Sequence, residues 1–338
     1  MKAIHVNWTK PYFDRYRLVE DVHRMTKTLT SSTYDQPDYQ IFYTMLSAIH
    51  WKKHNGPIKL YTDSIGLSFI QQFRGAELYD DIDIKFLNNY SKSNVDAARF
   101  WTSGKIKCLA NQTKPFVFLD QDMIIRSSVK DIDKGFNLVI AHWEIPRGEY
   151  YFSEEDWNRE IPHLKIPDNY DCYNLVPNTS FLIFRNMELL HTYTEWHKKL
   201  VNINEPNIPI WYWLLTDQGI LGHVVRMNDY HVNTLTDKVF LPRHNFGDKE
   251  TRYKGLAEPW YYPVENVDIL KDKNIKWEHV WIEKIHYSYY PEYMELETQR
   301  FFNELVNLGY EKHLNHSRFY KYWKKYEQFE NNKNILGK

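Results

Sequence analysis

The first 125 residues predict an α/β fold with a mostly parallel central sheet flanked by helices. Three observations carry this. Short apolar runs of strand length alternate with stretches of helical spacing. Turn signals such as Asn55-Gly56-Pro57 separate them. Three of the strand-like runs end in polar residues, Asn7/Thr9, Thr62/Asp63 and Asp120/Asp122, as expected where the carboxyl ends of parallel strands face one ligand crevice.

The elements follow in order. Lys2 to Trp8 reads as a first strand, closed by Asn7-Trp8-Thr9 and a proline. From Asp38 to His54, Ile41, Phe42, Met45, Leu46 and Ile49 share a helical face, and Asn55-Gly56-Pro57 stops the helix. Ile58 to Tyr61 is a short strand, Gly66 to Phe73 a short helix, and Ile82 to Phe86 another strand. Ala97 to Asn111 reads as a helix with Phe100, Trp101, Ile106 and Leu109 among its apolar positions. Phe116 to Leu119 is then a strand. Beyond it, Asn137 to Ala141 and Asn178 to Arg185 read as strands, and Met187 to about Val201 as a helix. Ile210 to His223 reads as a further helix, Val280 to His286 as a late strand, and Pro291 to Leu308 as a helix. No linker divides the chain into two independent domains.

The chain has 338 residues, with 43 basic and 44 acidic side chains and a net charge of -1. That balance argues against a nucleic-acid partner, which needs a basic excess to track phosphates. Its 2 cysteines, Cys108 and Cys172, make no metal framework and suit a reducing compartment. The N-terminus runs directly into a strand pattern without a signal-peptide core, and no run of about 18 apolar residues occurs. A cytoplasmic location is therefore expected. Aromatic content is high, at 12 Trp, 26 Tyr and 18 Phe, which suits core packing and also sugar or base surfaces.

The sharpest chemical signal is Phe118-Leu119-Asp120-Gln121-Asp122. Residues two apart on a strand point the same way, so Asp120 and Asp122 converge if the chain stays extended. Two carboxylates at the end of a buried strand are costly unless a cation lies between them, and a divalent ion holding a diphosphate would serve. The plain alternative is a strand that ends in a polar turn.

With that stretch, Arg99 and Lys105 just before it, Asn178-Thr179-Ser180-Phe181-Leu182-Ile183-Phe184, Thr216-Asp217-Gln218 and a late Lys284-Ile285-His286 occur in an order that resembles the GT-A glycosyltransferases. The likeness is to the family that holds glycogenin and bacterial lipopolysaccharide galactosyl- and glucosyltransferases. The chain departs from that pattern in two places. Ser180 stands where the family has Gly, and Tyr-Ser-Tyr-Tyr-Pro follows His286 in place of a Gly and a phosphate-contacting Lys-Pro-Trp.

The resemblance implies a GT-A, Rossmann-like nucleotide-diphospho-sugar transferase fold. Residues 1–125 would form its nucleotide-sugar-binding half, 126–309 its acceptor and catalytic half, and 310–338 a basic-aromatic tail. It implies Mn²⁺, or Mg²⁺, held by Asp120, Asp122 and His286. Asn7, Thr9 and Asp63 are candidates for the nucleoside, with Trp8 or Tyr61 as an aromatic face; ordinary core packing is the alternative for both rings. Arg99 or Lys105 would reach the diphosphate or donor sugar, although a solvated helix charge is the alternative for each. Asn178 would bond the donor sugar. Gln218 would lie near the anomeric carbon in an electrostatic role, and Asp217 would orient sugar hydroxyls.

The implied partners are a nucleotide-sugar donor, probed first as a UDP-sugar, and a glycan or lipid-linked acceptor. In the tail, Arg318, Lys321, Lys324 and Lys325 interleave with Phe319, Tyr320, Tyr322, Trp323 and Tyr326, a mixture that suits peripheral contact with an anionic inner membrane face; a solvated terminal helix is the alternative. Two rivals stand beside this reading. One is a non-catalytic carbohydrate-binding protein on a decayed GT-A scaffold. The other is a nucleotidyltransferase, which the glycine-free Asn7-Trp8-Thr9-Lys10-Pro11 opposes, because that class holds a triphosphate in a Gly-rich loop.

Overall fold

A computed structural model describes residues 1–16, 33–130, 132, 134–144, 176–201, 215–235, 239–242, 261–263, 282–284 and 291–336. In chain order the elements are β1 (Ala3–Asn7), α1 (Lys10–Tyr16), α2 (Asp38–His54), β2 (Ile58–Thr62), α3 (Ser64–Gln71), β3 (Asp81–Asp83), α4 (Lys85–Tyr90), α5 (Ser103–Ala110), β4 (Phe116–Leu119) and β5 (Met123–Ile125). They continue as β6 (Leu138–Ile140), β7 (Trp143–Glu144), β8 (Val176–Pro177), β9 (Phe181–Phe184), α6 (Met187–Val201), a π-helical turn (Leu215–Gly219), α7 (Ile220–Met227), β10 (Val232–Thr234), β11 (Val239–Pro242), β12 (Tyr261–Pro263) and β13 (Ile282–Lys284). Three helices, α8 (Pro291–Asn307), α9 (Glu311–Leu314) and α10 (Tyr320–Leu336), complete the described chain.

The central sheet has seven strands in the order β10-β6-β9-β4-β1-β2-β3. Its pairings are parallel except where β9 runs antiparallel between β4 and β6. The α/β class read from the sequence is the class observed. The chain moves from β1 outward to β2 and β3, then returns to place β4 on the other side of β1. The strand order therefore reverses between β1 and β4, the position at which open α/β sheets bind ligands beyond the carboxyl ends of their strands.

Both faces of the sheet are covered, which is why its strands read as continuous apolar runs. In β4, Phe116 and Phe118 join the core under α5, α6 and α7, whereas Val117 and Leu119 join the core under α2 and α8. All four are 3% exposed or less. Burying a side chain of this size contributes about 1.5–3 kcal/mol, so β4 is held firmly up to the residue where its carboxylates begin.

Three local expectations change. The Ile82–Phe86 strand is shorter: β3 stops at Asp83, whose Oδ1 accepts from the Phe86 N–H at 3.1 Å and starts α4. The Ala97–Asn111 helix is also shorter. Asp96 Oδ1 accepts from Ala98 and Arg99, holding a turn, and α5 begins at Ser103. The tail is not a detached strip. Phe319 and Tyr322 are buried, with Phe319 4.8 Å and Tyr322 5.5 Å from the ring of Phe42 on α2. Arg318 pairs with Asp35 at 2.6 Å and with Asp38, fixing α10 across the start of α2. Tyr320 and Phe329 are exposed, as are Lys321, Lys324 and Lys325. No described helix is long and apolar enough to cross a membrane.

Candidate active site at the carboxyl edge of the sheet

Strand direction gathers the predicted residues. Asn7 ends β1, Thr62 ends β2 and Asp120 follows β4, and these strands are parallel. Because β9 is antiparallel to β4 with Leu119 opposite Phe181, the Asn178–Ser180 segment that precedes β9 lies at the same edge.

The Asp120-Gln121-Asp122 stretch corrects one expectation. It is a turn, not extended strand: the Met123 N–H donates to the Asp120 carbonyl at 3.2 Å. The two carboxylates are half-buried and share a turn, so period-two alternation does not apply to them. The Asp120 N–H donates to the Ser180 carbonyl at 2.8 Å, which ties the turn to the entry of β9. Asn178 shapes that entry: its Oδ1 accepts from the Ser180 N–H at 3.0 Å and from the Ser180 hydroxyl. Ser180, where the resembled family has Gly, thus closes a local bond with Asn178.

Asp217 and Gln218 sit on the π-helical turn, 1% and 7% exposed. Such turns insert an extra residue into a helix and frequently carry functional side chains. One Asp217 oxygen accepts from the Tyr193 hydroxyl at 2.7 Å; the other pairs with the Lys105 ammonium. Lys105 also donates to Thr179 Oγ1 at 2.9 Å and lies 5.2 Å from the centre of the Phe118 ring. It is therefore a largely enclosed, partnered cation and not a solvated helix charge. Burial and the adjacent carboxylate push the Tyr193 hydroxyl well above the usual phenol range, which keeps it a donor.

His197 pins the neighbouring residue of the turn. The Thr216 carbonyl can only accept, so His197 Nδ1 donates to it at 2.7 Å, and Nε2 then accepts from the Ser103 hydroxyl at 3.2 Å. Burial lowers His197 to about 4, consistent with a neutral ring. A continuous path thus joins Asp120 through Ser180, Thr179 and Lys105 to Asp217. Tyr193, His197 and Ser103 were not visible as site residues in the sequence, because their roles depend on which helix packs beside the π turn.

On the β1–β2 side, Asp63 is a clamp. Its Oδ2 accepts from the Thr9 N–H and hydroxyl, both at 2.8 Å, and its Oδ1 caps α3 by accepting from Gly66 at 2.9 Å. Asn7 Oδ1 accepts from the Tyr34 hydroxyl at 2.8 Å, and its carbonyl accepts from Thr62 Oγ1 at 2.9 Å. Gly66 is needed where α3 meets these strand ends, since a Cβ there would lie 2.2 Å from Thr62 Oγ1. Beside the clamp opens a cleft of about 320 Å³, lined by Thr9, Lys10, Phe13, Asp63, Asn88 and Ser91 among others.

The two aromatic candidates are core residues. Trp8 is 9% exposed, bonds Ser91 through Nε1 and packs on Tyr90, while Tyr61 is 3% exposed and its hydroxyl accepts from Gln112. Arg99 lies on the turn before α5, pairs with Asp96 at 3.3 Å, and is not on the helix that carries Lys105.

His286 lies outside the described residues, and among those described no group of three His, Cys, Asp or Glu forms a metal-ligand set. Two carboxylates are present on the Asp120–Met123 turn. Strand β13 pairs antiparallel with β5 and sets Lys284 opposite Met123, the residue after Asp122. His286 follows Lys284 by two positions in the sequence.

Among curated proteins, none matches this chain. Among solved structures, the chain is similar in outline to an active-site mutant of LgtC, at 13% identity over 91% of this chain and 95% of that one with a TM-score of 0.42. It is similar to the galactosyltransferase LgtC in complex with donor and acceptor sugar analogues, at 11% identity over 90% and 94% with a TM-score of 0.40. A third similar structure is the glycosyltransferase GlyE of Streptococcus pneumoniae, at 15% identity over 91% of this chain and 64% of that one with a TM-score of 0.38. The sequence model of a family of unknown function, DUF6734, matches residues 1–298, and the chain belongs to that family.

Proposed function

We propose that this protein is a metal-dependent glycosyltransferase that moves a sugar from a nucleotide-sugar, a UDP-sugar in the first instance, to a glycan or glycolipid acceptor in surface-polysaccharide synthesis. The observation that carries the reading is the position of the Asp120–Asp122 turn. It sits at the carboxyl end of β4, beside the end of β1, where the strand order reverses. The resemblance of the Asp-x-Asp, Asn178 and Asp217-Gln218 stretches to the GT-A glycosyltransferases supports the same class.

In this reading the bond between the anomeric carbon and the diphosphate oxygen breaks, and its electron pair leaves with the nucleoside diphosphate. The acceptor oxygen bonds to that carbon, and its proton passes to the departing diphosphate oxygen. Asp120, Asp122 and His286 would hold a divalent ion, which when bound neutralises charge on the leaving diphosphate. The β1–β2 cleft beside the Thr9–Asp63 clamp would take the nucleoside. Gln218, an amide that cannot readily act as a nucleophile, would offer its carbonyl dipole to an oxocarbenium-like centre. Asp217 has one oxygen on Lys105 and the other on Tyr193, so its part is to hold Lys105 at the crevice, not to accept a proton.

The test is a thermal-shift panel of UDP-, GDP- and dTDP-sugars with and without Mn²⁺. A ligand at about 100 times its Kd stabilises the native state by about 2.7 kcal/mol, a readily measured rise in Tm. The reading expects a response to UDP-sugars that requires Mn²⁺. Stabilisation by oligosaccharides with no nucleotide response would overturn it in favour of a non-catalytic carbohydrate-binding protein.

A further inference from the structure

A chain of polar side chains crosses the core beneath α2. Ser47 Oγ lies 2.6 Å from the Met123 carbonyl, His5 Nε2 lies 3.2 Å from Ser47 Oγ, and His5 Nδ1 lies 3.1 Å from the Tyr79 hydroxyl. His5 and Ser47 are 0% exposed and Met123 is 3% exposed. The proton directions are determined from the far end. A carbonyl only accepts, so the single hydroxyl proton of Ser47 is committed to Met123. Ser47 Oγ must then accept from His5 Nε2–H. That leaves His5 Nδ1 bare, and it accepts from Tyr79. Every group is satisfied, and the chain runs one way. Burial lowers His5 to about 3, so the ring is neutral as this arrangement requires.

Burying the polar side chains of His5 and Ser47 is costly unless both are bonded, and a satisfied buried network rigidifies what it touches. What this one touches is the far side of the Asp120–Met123 turn. The N–H of Met123 closes that turn on Asp120, and its carbonyl ends the relay. We propose that Tyr79, His5 and Ser47 form a hydrogen-bond relay that fixes this turn, which makes His5 and Ser47 positioning residues for the carboxylates of Asp120 and Asp122. The inference rests on the metal-site reading for its functional meaning, and the test separates the two.

In metal-free protein, Ser47→Ala removes the final link. Amide hydrogen exchange across 120–123 should accelerate about tenfold, the scale set by losing one buried hydrogen bond. Titration with Mn²⁺ alone, followed by electron paramagnetic resonance, should show Kd raised about tenfold, as for loss of a group that orients a ligand. Ile49→Val, on the same helix, should change neither. His5→Gln, which can still donate to Ser47, should retain more of both than His5→Leu. The wild-type protein carries a readout that needs no variant: ¹⁵N-histidine spectra should show His5 as the Nε2–H tautomer.

Unchanged exchange at 120–123 in Ser47→Ala, or a His5 ring protonated on Nδ1, overturns the relay whatever the metal does. Accelerated exchange in Ser47→Ala, with no Mn²⁺ bound by the wild type, upholds the relay and removes the metal reading.

Discussion

Lys105→Met keeps most of the aliphatic stem of the side chain and deletes its charge. The Asp217 side chain is 2% exposed and that of Lys105 12% exposed, so the variant leaves a buried carboxylate without its cation and with the Tyr193 hydroxyl still bonded to it. Removing one partner of a buried ion pair costs about 3–5 kcal/mol. The partial exposure of Lys105 argues for the lower end, about 3 kcal/mol, and the lost bond to Thr179 belongs to the same change. Asp217→Asn placed on Lys105→Met removes the stranded charge while its side-chain oxygen can still accept from Tyr193. The double variant should therefore recover about 1–2 kcal/mol of the loss. Urea unfolding near pH 7, followed by tryptophan fluorescence, measures all four corners of the cycle. A Lys105→Met protein within about 0.5 kcal/mol of wild type, or a double variant whose losses simply add, would refute the pair as drawn.

Two further outcomes are expected. Burial alone would raise Glu304, but hydrogen bonds from Arg126 and His50 outweigh it and hold the carboxylate at about 2, below its ordinary 4.5. A depressed carboxylate stabilises the fold above its unfolded value and loses that contribution as pH falls. Stability should thus drop by about 1–2 kcal/mol, discounted for solvent screening, between roughly pH 5 and 2, and Glu304→Gln should flatten that part of the profile in acid unfolding. Gly104→Ala would place a Cβ 2.6 Å from the Trp8 ring, so overpacking of about 1–3 kcal/mol and a changed Trp8 environment should appear in thermal unfolding and near-ultraviolet dichroism; an unaltered Tm would show that the ring can yield.

The parts of the fold legible in the sequence were those governed by local pattern. Helix α2 begins and ends at Asp38 and His54 as read, because a regular apolar face meets an Asn-Gly-Pro stop. Strand β4 was legible because a double-covered sheet demands an unbroken apolar run. The misread segments have short-range polar causes. Asp83 and Asp96 each capture backbone N–H groups a few residues on, which ends one strand early and delays one helix. At the site, the sequence indicated which strand ends would carry polar groups but not what those groups would do. Asp63 reads as a ligand contact, yet its two oxygens bind Thr9 and Gly66. Lys105 reads as a donor contact or a solvated helix charge, yet it finds Asp217, a residue 112 positions along whose approach is set only when α6 and the π turn pack together.

The last described helix bears on what the family's shared segment can be. The matched residues end at 298, inside α8, whereas Phe319 and Tyr322 lie twenty or more positions beyond and cap the aromatic face of α2. That same helix carries Ser47 on its other side. A chain cut at the boundary of the match would strip the lid from Phe42, expose a greasy stripe and loosen the helix that props the carboxylate turn from behind. In this member, then, the outer forty residues are the keystone of a shared vault: peripheral to the recognised sequence, yet pressing on the stones at its centre.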